Sequence, residues 1–322
     1  MTSDLQASSN AAVVRTTIHP LTAADAAAMQ ALRALVEPLR GTMQGTAARA
    51  PFDAIMARVA APEGVTFDAD TVGSIPGWWC RPVGARPAEA ILHLHGGWFN
   101  WGSAQAFRSF VGHIARHAGV DAFVPDYRLA PEHPFPAALH DARDCHAGLL
   151  ARGVRRIALT GDSAGGNLAL ALLASASIDR KAPGPAPVAA VALSPVTDLS
   201  LSGASWDTRA AADPYFTKPQ VAALVRAYLG EHDPRDPLAS PLWGDLAGLP
   251  PIRVHVGDAE MLLDDSRRYV ERAVAAGVDA RLDVWKGMPH GFASATGRLD
   301  AADRALEAIG RFLRERLAGA PA

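Results

Sequence analysis

From about residue 88 onward, short apolar segments alternate with longer segments in which apolar residues recur at helical spacing. The short segments predict strands in AEAILHLH, GVDAFVPDY, RRIALTG, VAAVALSP, PIRVHVGD and ARLDVWKG. The longer segments predict helices in SAQAFRSFVGHIARHA, FPAALHDARDCHAGLLA, SAGGNLALALLASAS, LLDDSRRYVERAVAAG and DAADRALEAIGRFLRERL. Apolar strands that alternate with crossover-length helices are typical of an α/β fold, in which a mostly parallel sheet carries helices on both faces.

The segments before this alternation have a different pattern. In LTAADAAAMQALRALVEPLRG, Thr22 is a predicted N-cap, Asp25 stands at the third helical position and Gly41 is a predicted stop. PFDAIMARVA predicts a second, short helix. After Pro62, VTFDAD and SIPGWWCRP flank a glycine-containing turn. These two segments predict an antiparallel hairpin at one edge of the sheet.

The interval between Pro195 and Pro251 interrupts the alternation of strands and helices. It holds one predicted helix, KPQVAALVRAYLG, in a setting rich in proline and aspartate. An insertion of this length over the carboxyl ends of the strands would act as a lid. We therefore predict a catalytic α/β domain formed by residues 61–195 and 251–322, a cap insertion at residues 196–250, and N-terminal helices in residues 1–60 that contribute to the cap.

Composition excludes several classes of partner. The 322-residue chain is 49% hydrophobic, with a net charge of −2, and no long run of Lys or Arg provides a surface for nucleic acid. The N-terminal segment has no basic leader, and no apolar segment is long enough to cross a bilayer. Cys80 and Cys145 lack metal-ligand spacing. We expect a soluble cytoplasmic protein without nucleic-acid or membrane partners.

A candidate nucleophile lies between a predicted strand and a predicted helix. Residues 161–165 read Gly-Asp-Ser-Ala-Gly, which matches the G-x-S-x-G turn that raises a serine hydroxyl above a sheet. Ser163 is therefore the predicted nucleophile. A serine hydroxyl needs a base, and the base needs an orienting acid.

His290 is the candidate base. Among the eleven histidines it stands in GMPHGF, a loop that follows the last predicted strand, at the edge of the sheet where Ser163 emerges. The acid is expected after the preceding strand, in VGDAEMLLDDS, because proteins with this turn carry Ser, acid and His in that order. The residues themselves leave Asp258 and Glu260 as the two alternatives.

Five segments of the chain resemble the hormone-sensitive lipase family of α/β-hydrolases, the bacterial carboxylesterases of family IV. These are HGGWF, DYRLAPEHPFPAALHDA, GDSAGGNL, DPLASPLWGDLAGLPP and MPHGF, and the resemblance runs from about residue 65 to the end. It implies an α/β-hydrolase fold with a helical cap, esterase activity, and structural bracing by Asp126 and Arg128. Family members also pair through the last edge of the sheet, which implies a homodimer.

The resemblance favours one of the two acids. The family pattern D-P-L-x-D aligns with residues 260–264, so that Glu260 replaces the first aspartate and becomes the orienting carboxylate. Asp258 remains the fallback.

The resemblance also implies an oxyanion hole. Its donors are Ala164, which follows the nucleophile, and the glycine loop formed by Gly96, Gly97 and Trp98. Gly97 and the main chain of Trp98 are the favoured donors, while Gly96 supplies the turn. The chain departs from the family pattern H-G-G-G by placing Trp98 third, and a bulky wall there predicts small acyl groups or planar aromatic alcohols.

Several aromatic residues either contact substrate or pack beneath the cap. They are Trp98, Phe99, Trp206, Tyr215 and Phe216. The resulting hypothesis is a serine carboxylesterase for small soluble esters, without metal or organic cofactor. The alternatives are an amidase, formamidase or lactonase of the same fold, and a ligand receptor that has lost catalysis.

Overall fold

The strands of the sheet follow the apolar segments of the sequence. The computed structural model describes residues 14–178 and 184–318, and within these ranges the chain forms a nine-stranded sheet. In chain order the strands are β1 (Arg15–His19), β2 (Val65–Val72), β3 (Ile75–Pro82), β4 (Glu89–Leu94), β5 (Asp121–Pro125), β6 (Arg156–Asp162), β7 (Ala189–Leu193), β8 (Ile252–Gly257) and β9 (Ala280–Trp285). Their spatial order is β1-β9-β8-β7-β6-β4-β5-β3-β2.

Most neighbouring strands are parallel, as the alternating pattern predicts. In the spatial order, every neighbouring pair in the run β1-β9-β8-β7-β6-β4-β5 is parallel. β3 is antiparallel to both β5 and β2. The mostly parallel sheet and the antiparallel hairpin at one edge are thus confirmed.

Helices cover both faces of this sheet. The helices of the described residues are α1 (Ala23–Val36), α2 (Arg49–Met56), α3 (Ala104–Ala118), α4 (Ala137–Ala151), α5 (Ala164–Ile178), α6 (Ser205–Thr208), α7 (Lys218–Leu229), α8 (Leu263–Ala275) and α9 (Asp300–Leu317). Successive residues of a strand point to opposite faces, so Ile91 of β4 joins the apolar core under α3 and α9, and Leu92 joins the core under α4, α5 and α8. Parallel strands buried on both faces explain the continuous apolar segments.

Residues 15–19 form a strand that the sequence pattern did not predict. β1 is polar and largely exposed, so it lacks the alternation that signals a half-buried strand. It is held against β9 by His19, whose ring stacks on Trp285 at 3.7 Å between centroids and whose Nε2 lies 2.7 Å from Oδ1 of Asp283. The assignment of residues 1–60 to cap helices is therefore wrong for this strand, which belongs to the sheet. Residues 1–13 lie outside the described residues.

Helix α1 begins as predicted and ends earlier than predicted. The main-chain N–H of Asp25 donates to Oγ1 of Thr22 at 3.1 Å, which is the expected N-cap contact. The helix stops at Val36, not at Gly41, because Pro38 has no N–H to continue the ladder. Gly41 instead lies in the following turn with φ of 73°, and its N–H donates to the carbonyl of Tyr215.

The N-terminal helices contact the 196–250 segment through hydrogen bonds. Arg33 donates to the carbonyl of Ala212 at 2.7 Å, and Arg40 donates to the carbonyls of Phe216 and Ala210. The side chain of Gln220, in the first turn of α7, donates to the carbonyl of Met43 at 2.6 Å. Within the described residues, no helix is both long and apolar enough to span a membrane.

Candidate active site

Ser163 occupies a strained turn between β6 and α5. Its φ of 56° lies in the left-handed region, where residues other than glycine pay a steric penalty. Neighbouring strands hold this turn, since the N–H of Ser163 donates to the carbonyl of Leu193 at 2.8 Å and the N–H of Val196 donates to its carbonyl. A Cβ on Gly165 would collide with the carbonyl oxygen of Leu94, and one on Gly161 with that of Gly165. The two glycines of the motif are therefore required by main-chain crowding.

Glu260 and His290 form a buried carboxylate–imidazole pair. Glu260 follows β8, His290 follows β9, and Oε2 of Glu260 lies 2.7 Å from Nδ1 of His290. The other oxygen, Oε1, accepts the hydroxyl of Ser194 and the N–H of Gly257, each at 2.7 Å. Glu260 has no exposed surface, so this carboxylate is fixed in one orientation.

The fallback acid lies elsewhere. Oδ1 of Asp258 accepts the main-chain N–H of Gly287 at 2.6 Å, and Oδ2 lies 3.0 Å from Nζ of Lys286. These contacts fasten the end of β8 to the turn after β9. Of the two carboxylates that the residues left open, Glu260 is the one hydrogen-bonded to His290.

The surroundings of His290 favour its protonated form. Burial lowers the pKa of His290, but the hydrogen bond and charge of Glu260, with the charges of Asp213 and Asp162, raise it, so that the pKa stands above its ordinary value. Asp162 directly precedes Ser163 in the chain. Its charge acts on the imidazole because the end of β6 and the loop after β9 both lie at the carboxyl edge of the sheet.

The glycine loop after β4 has one occupied and two unpaired N–H groups. The N–H of Gly96 donates to Oδ1 of Asp162 at 3.1 Å, so its inclusion among the oxyanion donors is corrected: it forms the turn. Gly97 has φ of 121°, and a Cβ there would meet the carbonyl of Trp101. In the described part of the chain, the main-chain N–H groups of Gly97 and Trp98 have no hydrogen-bond acceptor.

Ala164, the other predicted donor, is the first residue of α5, where helix N–H groups lack intrahelical partners.

Trp98 turns its indole toward the 196–250 segment. Its φ is 54°, and its ring lies 5.6 Å from that of Phe216 and 6.3 Å from that of Trp206, between centroids. The side chain is 2% exposed. Where the family pattern H-G-G-G has a small residue, this chain has Trp98, and its indole packs under residues 196–250.

The remaining aromatic candidates differ in location. Phe99 is fully buried, and its ring stacks on that of Tyr228 at 3.7 Å between centroids. This contact is core packing and corrects the assignment of Phe99 to the substrate site, because the ring is stacked face to face on Tyr228. Trp206 is 1% exposed, whereas Tyr215 and Phe216 are half-buried. The ring of Phe216 lies 5.5 Å from that of His290 between centroids, with 76° between the two planes.

The predicted brace residues, Asp126 and Arg128, bind two of the helices that flank the sheet. Oδ1 of Asp126 accepts the N–H of Ala104 at 2.6 Å, at the beginning of α3. Arg128 forms a bidentate pair with Asp141 of α4, with the closest N–O distance 2.7 Å. Both contacts fix the segment after β5 against flanking helices.

Two residues at the site were not predicted from the sequence. Ser194 follows β7 and binds Glu260, and its φ of 45° is strained. Asp213, in the 196–250 segment, binds the N–H of Met261. The position of Ser194 at the carboxyl end of a strand was the only hint available, since serine and aspartate in loops are common.

The fold and this arrangement define the class of protein. A parallel sheet with helices on both faces and a strained G-x-S-x-G serine at its carboxyl edge is that of the α/β-hydrolases. A family model described as alpha/beta hydrolase fold matches residues 91–294. The chain belongs to this fold family and, within it, to the hormone-sensitive lipase family of esterases.

Sequence and structural relatives agree with this assignment. The chain is 39% identical over 249 residues to an acetyl-hydrolase of Streptomyces hygroscopicus, covering 77% of this chain and 82% of the relative. It is 36% identical over 231 residues to an esterase of Acinetobacter venetianus, covering 71% and 75%.

Two solved structures are also similar. One is an esterase of the bacterial hormone-sensitive lipase family, with TM-score 0.84 and 38% identity, covering 90% of this chain and 98% of that one. The other is EstE5 soaked with p-nitrophenyl butyrate, with TM-score 0.83 and 36% identity, covering 91% and 99%. The protein is a carboxylic ester hydrolase.

Proposed function

We propose that this esterase hydrolyses small, soluble carboxylic esters with short acyl chains through an acyl-enzyme intermediate. Ser163 is the nucleophile, His290 the base and Glu260 the orienting acid. The observation that carries the proposal is the 2.7 Å hydrogen bond between Glu260 and Nδ1 of His290, at the sheet edge where Ser163 occupies its strained turn.

The hydrogen bond fixes the tautomer of His290. With Nδ1–H donated to Glu260, neutral imidazole presents Nε2 as an acceptor for the proton of Ser163. The serine oxygen then attacks the acyl carbon, and the alcohol leaves with the proton from Nε2. Water repeats the two steps on the acyl-enzyme and releases the acid.

Main-chain N–H groups stabilise the negative charge that develops on the carbonyl oxygen. We assign this role to Gly97, Trp98 and Ala164, whose N–H groups lack other acceptors or begin a helix. Preorganised donors of this kind contribute about 2.7–4 kcal/mol each to transition-state stabilisation.

The proposed preference for short acyl chains rests on Trp98. Its indole lies against Phe216, whose ring is 5.5 Å from that of His290 between centroids, and we propose that these two rings form a wall that limits the length of the acyl chain. Two relatives support a small acyl group: one is named an acetyl-hydrolase, and EstE5 was soaked with a butyrate ester. We propose residues 196–250, with α1 and α2, as the cap that closes this side.

The test is a chain-length series of p-nitrophenyl esters on wild type and Ser163→Ala. We expect acetate and butyrate to be the best substrates and the variant to be inactive, and a fluorophosphonate probe to label the wild type alone. Preference for long-chain emulsions would contradict the small-pocket assignment. Turnover of p-nitrophenyl acetate against the matching anilide distinguishes esterase from amidase.

Partners and location are further proposals. We propose that the protein acts in the cytoplasm, in agreement with its two buried free cysteines. A homodimer would have to use a surface other than the edge of β9, since β1 of the same chain covers that edge. Light scattering after size-exclusion chromatography measures the oligomeric state.

A further inference from the structure

Asp213 connects the cap segment to the loop that carries the acid. It lies between α6 and α7 and is 3% exposed. Oδ1 accepts the main-chain N–H groups of Tyr215 at 2.9 Å and Phe216 at 3.1 Å. Oδ2 accepts the N–H of Met261, the residue after Glu260, at 3.2 Å. A single carboxylate thus binds both segments.

The residue that Asp213 holds in the cap segment faces the site. The planes of the Phe216 and His290 rings meet at 76°, and those of the Phe216 and Trp98 rings meet at 82°. Oδ1 binds the main chain at Phe216 and Oδ2 binds it at Met261, so this side chain links the ring to the acid loop. Ser205 of the same segment adds a second link, since its hydroxyl donates to the carbonyl of Met261 at 2.6 Å.

The same stretch of the cap segment is also held by the N-terminal part of the chain. Its carbonyl groups at Ala212 and Phe216 accept hydrogen bonds from Arg33 and Arg40 of the N-terminal part, and Gly41 donates to the carbonyl of Tyr215. Loss of the Asp213 contacts would therefore change the seating of the segment on the acid loop without detaching it from the N-terminal helices.

We propose that Asp213 is a positioning residue of the esterase: it seats Phe216 over His290 and holds the Glu260 loop, and through Phe216 it limits the size of the acyl group. This inference rests on the proposed function. Asp213 acts through Phe216 and Glu260, and its charge acts on the imidazole.

The charge gives the proposal a distinct signature. The charged groups that face His290 are Glu260 after β8, Asp213 in the cap segment and Asp162 at the end of β6, and each of them raises the pKa of His290. Replacing Asp213 by a neutral residue of the same shape removes one of these charges. The pKa of His290 should then fall, and the acid limb of kcat/KM should move to lower pH.

The test compares Asp213→Asn with Asp207→Asn. Asparagine keeps one oxygen for Tyr215 and Phe216, but its amide cannot accept the N–H of Met261. Asp207 lies on the same segment, is exposed and pairs with Lys218, so it controls for loss of a cap aspartate. The measurements are kcat and KM for p-nitrophenyl acetate and hexanoate, and the pH dependence of kcat/KM for acetate.

We expect Asp213→Asn to lower kcat for acetate by about tenfold, the size of one lost charged hydrogen bond. It should also reduce the ratio of kcat/KM for acetate to kcat/KM for hexanoate. The acid limb of kcat/KM for acetate should move to lower pH. Asp207→Asn should stay within about twofold of wild type in all three. If Asp213→Asn changes none of the three, the inference is overturned.

Two additional variants cover the remaining outcomes. Phe216→Ala should narrow the preference for acetate over hexanoate without moving the acid limb of kcat/KM to lower pH, because it removes no charge and only uncovers His290. An unchanged preference would overturn the size role even if Asp213→Asn is unstable. Ser163→Ala separates the two proposals. An inactive Ser163→Ala beside an unaffected Asp213→Asn overturns only the role of Asp213, whereas an active Ser163→Ala overturns the proposed function itself.

Discussion

Glu260 binds Nδ1 of His290 through Oε2, while its Oε1 is occupied by Ser194 and Gly257. Both oxygens of the carboxylate are therefore hydrogen-bonded. The acid cannot turn away from the imidazole without leaving buried donors unpaired, which is costly. This geometry leads to the first prediction.

Glu260→Gln should lower kcat/KM by about 10³- to 10⁴-fold. Glutamine can accept from Ser194 and Gly257 with its oxygen, but its amide then faces Nδ1 and favours the tautomer that carries the proton on Nε2. Asp258→Asn is the matched control, because Asp258 binds Gly287 and Lys286 instead. Steady-state hydrolysis of p-nitrophenyl acetate measures both. A larger loss in Asp258→Asn would reverse the assignment of the acid.

The pH dependence should show an acid limb displaced upward. The proposed base His290 can accept a proton only when it is neutral, and Glu260, Asp213 and Asp162 outweigh burial to raise the pKa of His290. Activity should therefore fall as pH decreases through a midpoint above the usual histidine value of about 6.5. The kcat/KM profile for p-nitrophenyl acetate between about pH 5 and about pH 9 measures this midpoint. A midpoint below the usual value would contradict the electrostatic account.

Trp98 should limit acyl length. Trp98→Ala and Trp98→Gly both remove the indole, and each should improve hexanoate relative to acetate. Both should lose stability, by about 3–5 kcal/mol for alanine, because a buried ring is replaced by a cavity. Glycine should be the more stable of the two by about 1 kcal/mol, since φ of 54° is unfavourable for any residue with a Cβ. Denaturant unfolding measures the stability of the two variants, and the series of p-nitrophenyl esters measures their chain-length preference. Equal stability of Trp98→Ala and Trp98→Gly would argue against backbone strain at this position.

Gly165→Ala should destroy activity by displacing the serine turn. The added Cβ would overlap the carbonyl oxygens of Leu94 and His95, which belong to the main chain and cannot rotate away. We expect a loss of more than about 2 kcal/mol in unfolding free energy. Gly244→Ala is the control, because a Cβ there meets only ordinary contacts beyond 3.4 Å. Circular dichroism melts and esterase activity distinguish them, and an active Gly165→Ala would show that the turn tolerates the extra atom.

Stability should depend on pH through Asp265. Burial raises the pKa of Asp265 to about 8, and its Oδ1 accepts the N–H groups of Thr197 and Asp198. The unfolded chain loses the proton of Asp265 at a pKa of about 3.9, whereas the folded protein keeps it up to about pH 8. The protonated carboxyl group therefore contributes stability that is lost as pH rises from about 4 to about 8. Asp265→Asn mimics the protonated acid and should remove this slope. Unfolding free energies of both proteins across that range provide the measurement; parallel slopes would contradict the raised pKa.

Local pattern predicted the parts of the fold that depend on local physics. The alternation of apolar strands and helices identified the parallel sheet, because both faces of each strand are buried. β1 escaped prediction because its stability comes from His19 on Asp283 and Trp285, residues far along the chain. The early end of α1 at Val36 could have been read from Pro38, whose missing N–H is a local fact.

The sequence by itself identified the G-x-S-x-G turn at Ser163, the loop histidine His290 and the family, because these depend on short segments with fixed spacing. The tertiary structure decided which carboxylate meets the imidazole, which glycine N–H is already occupied by Asp162, and how Asp213 joins the cap segment to Met261. The physical reason is that hydrogen bonds act over about 3 Å and depend on direction, whereas these partners lie tens of residues apart and come within that distance only when neighbouring strands bring their loops to one edge of the sheet.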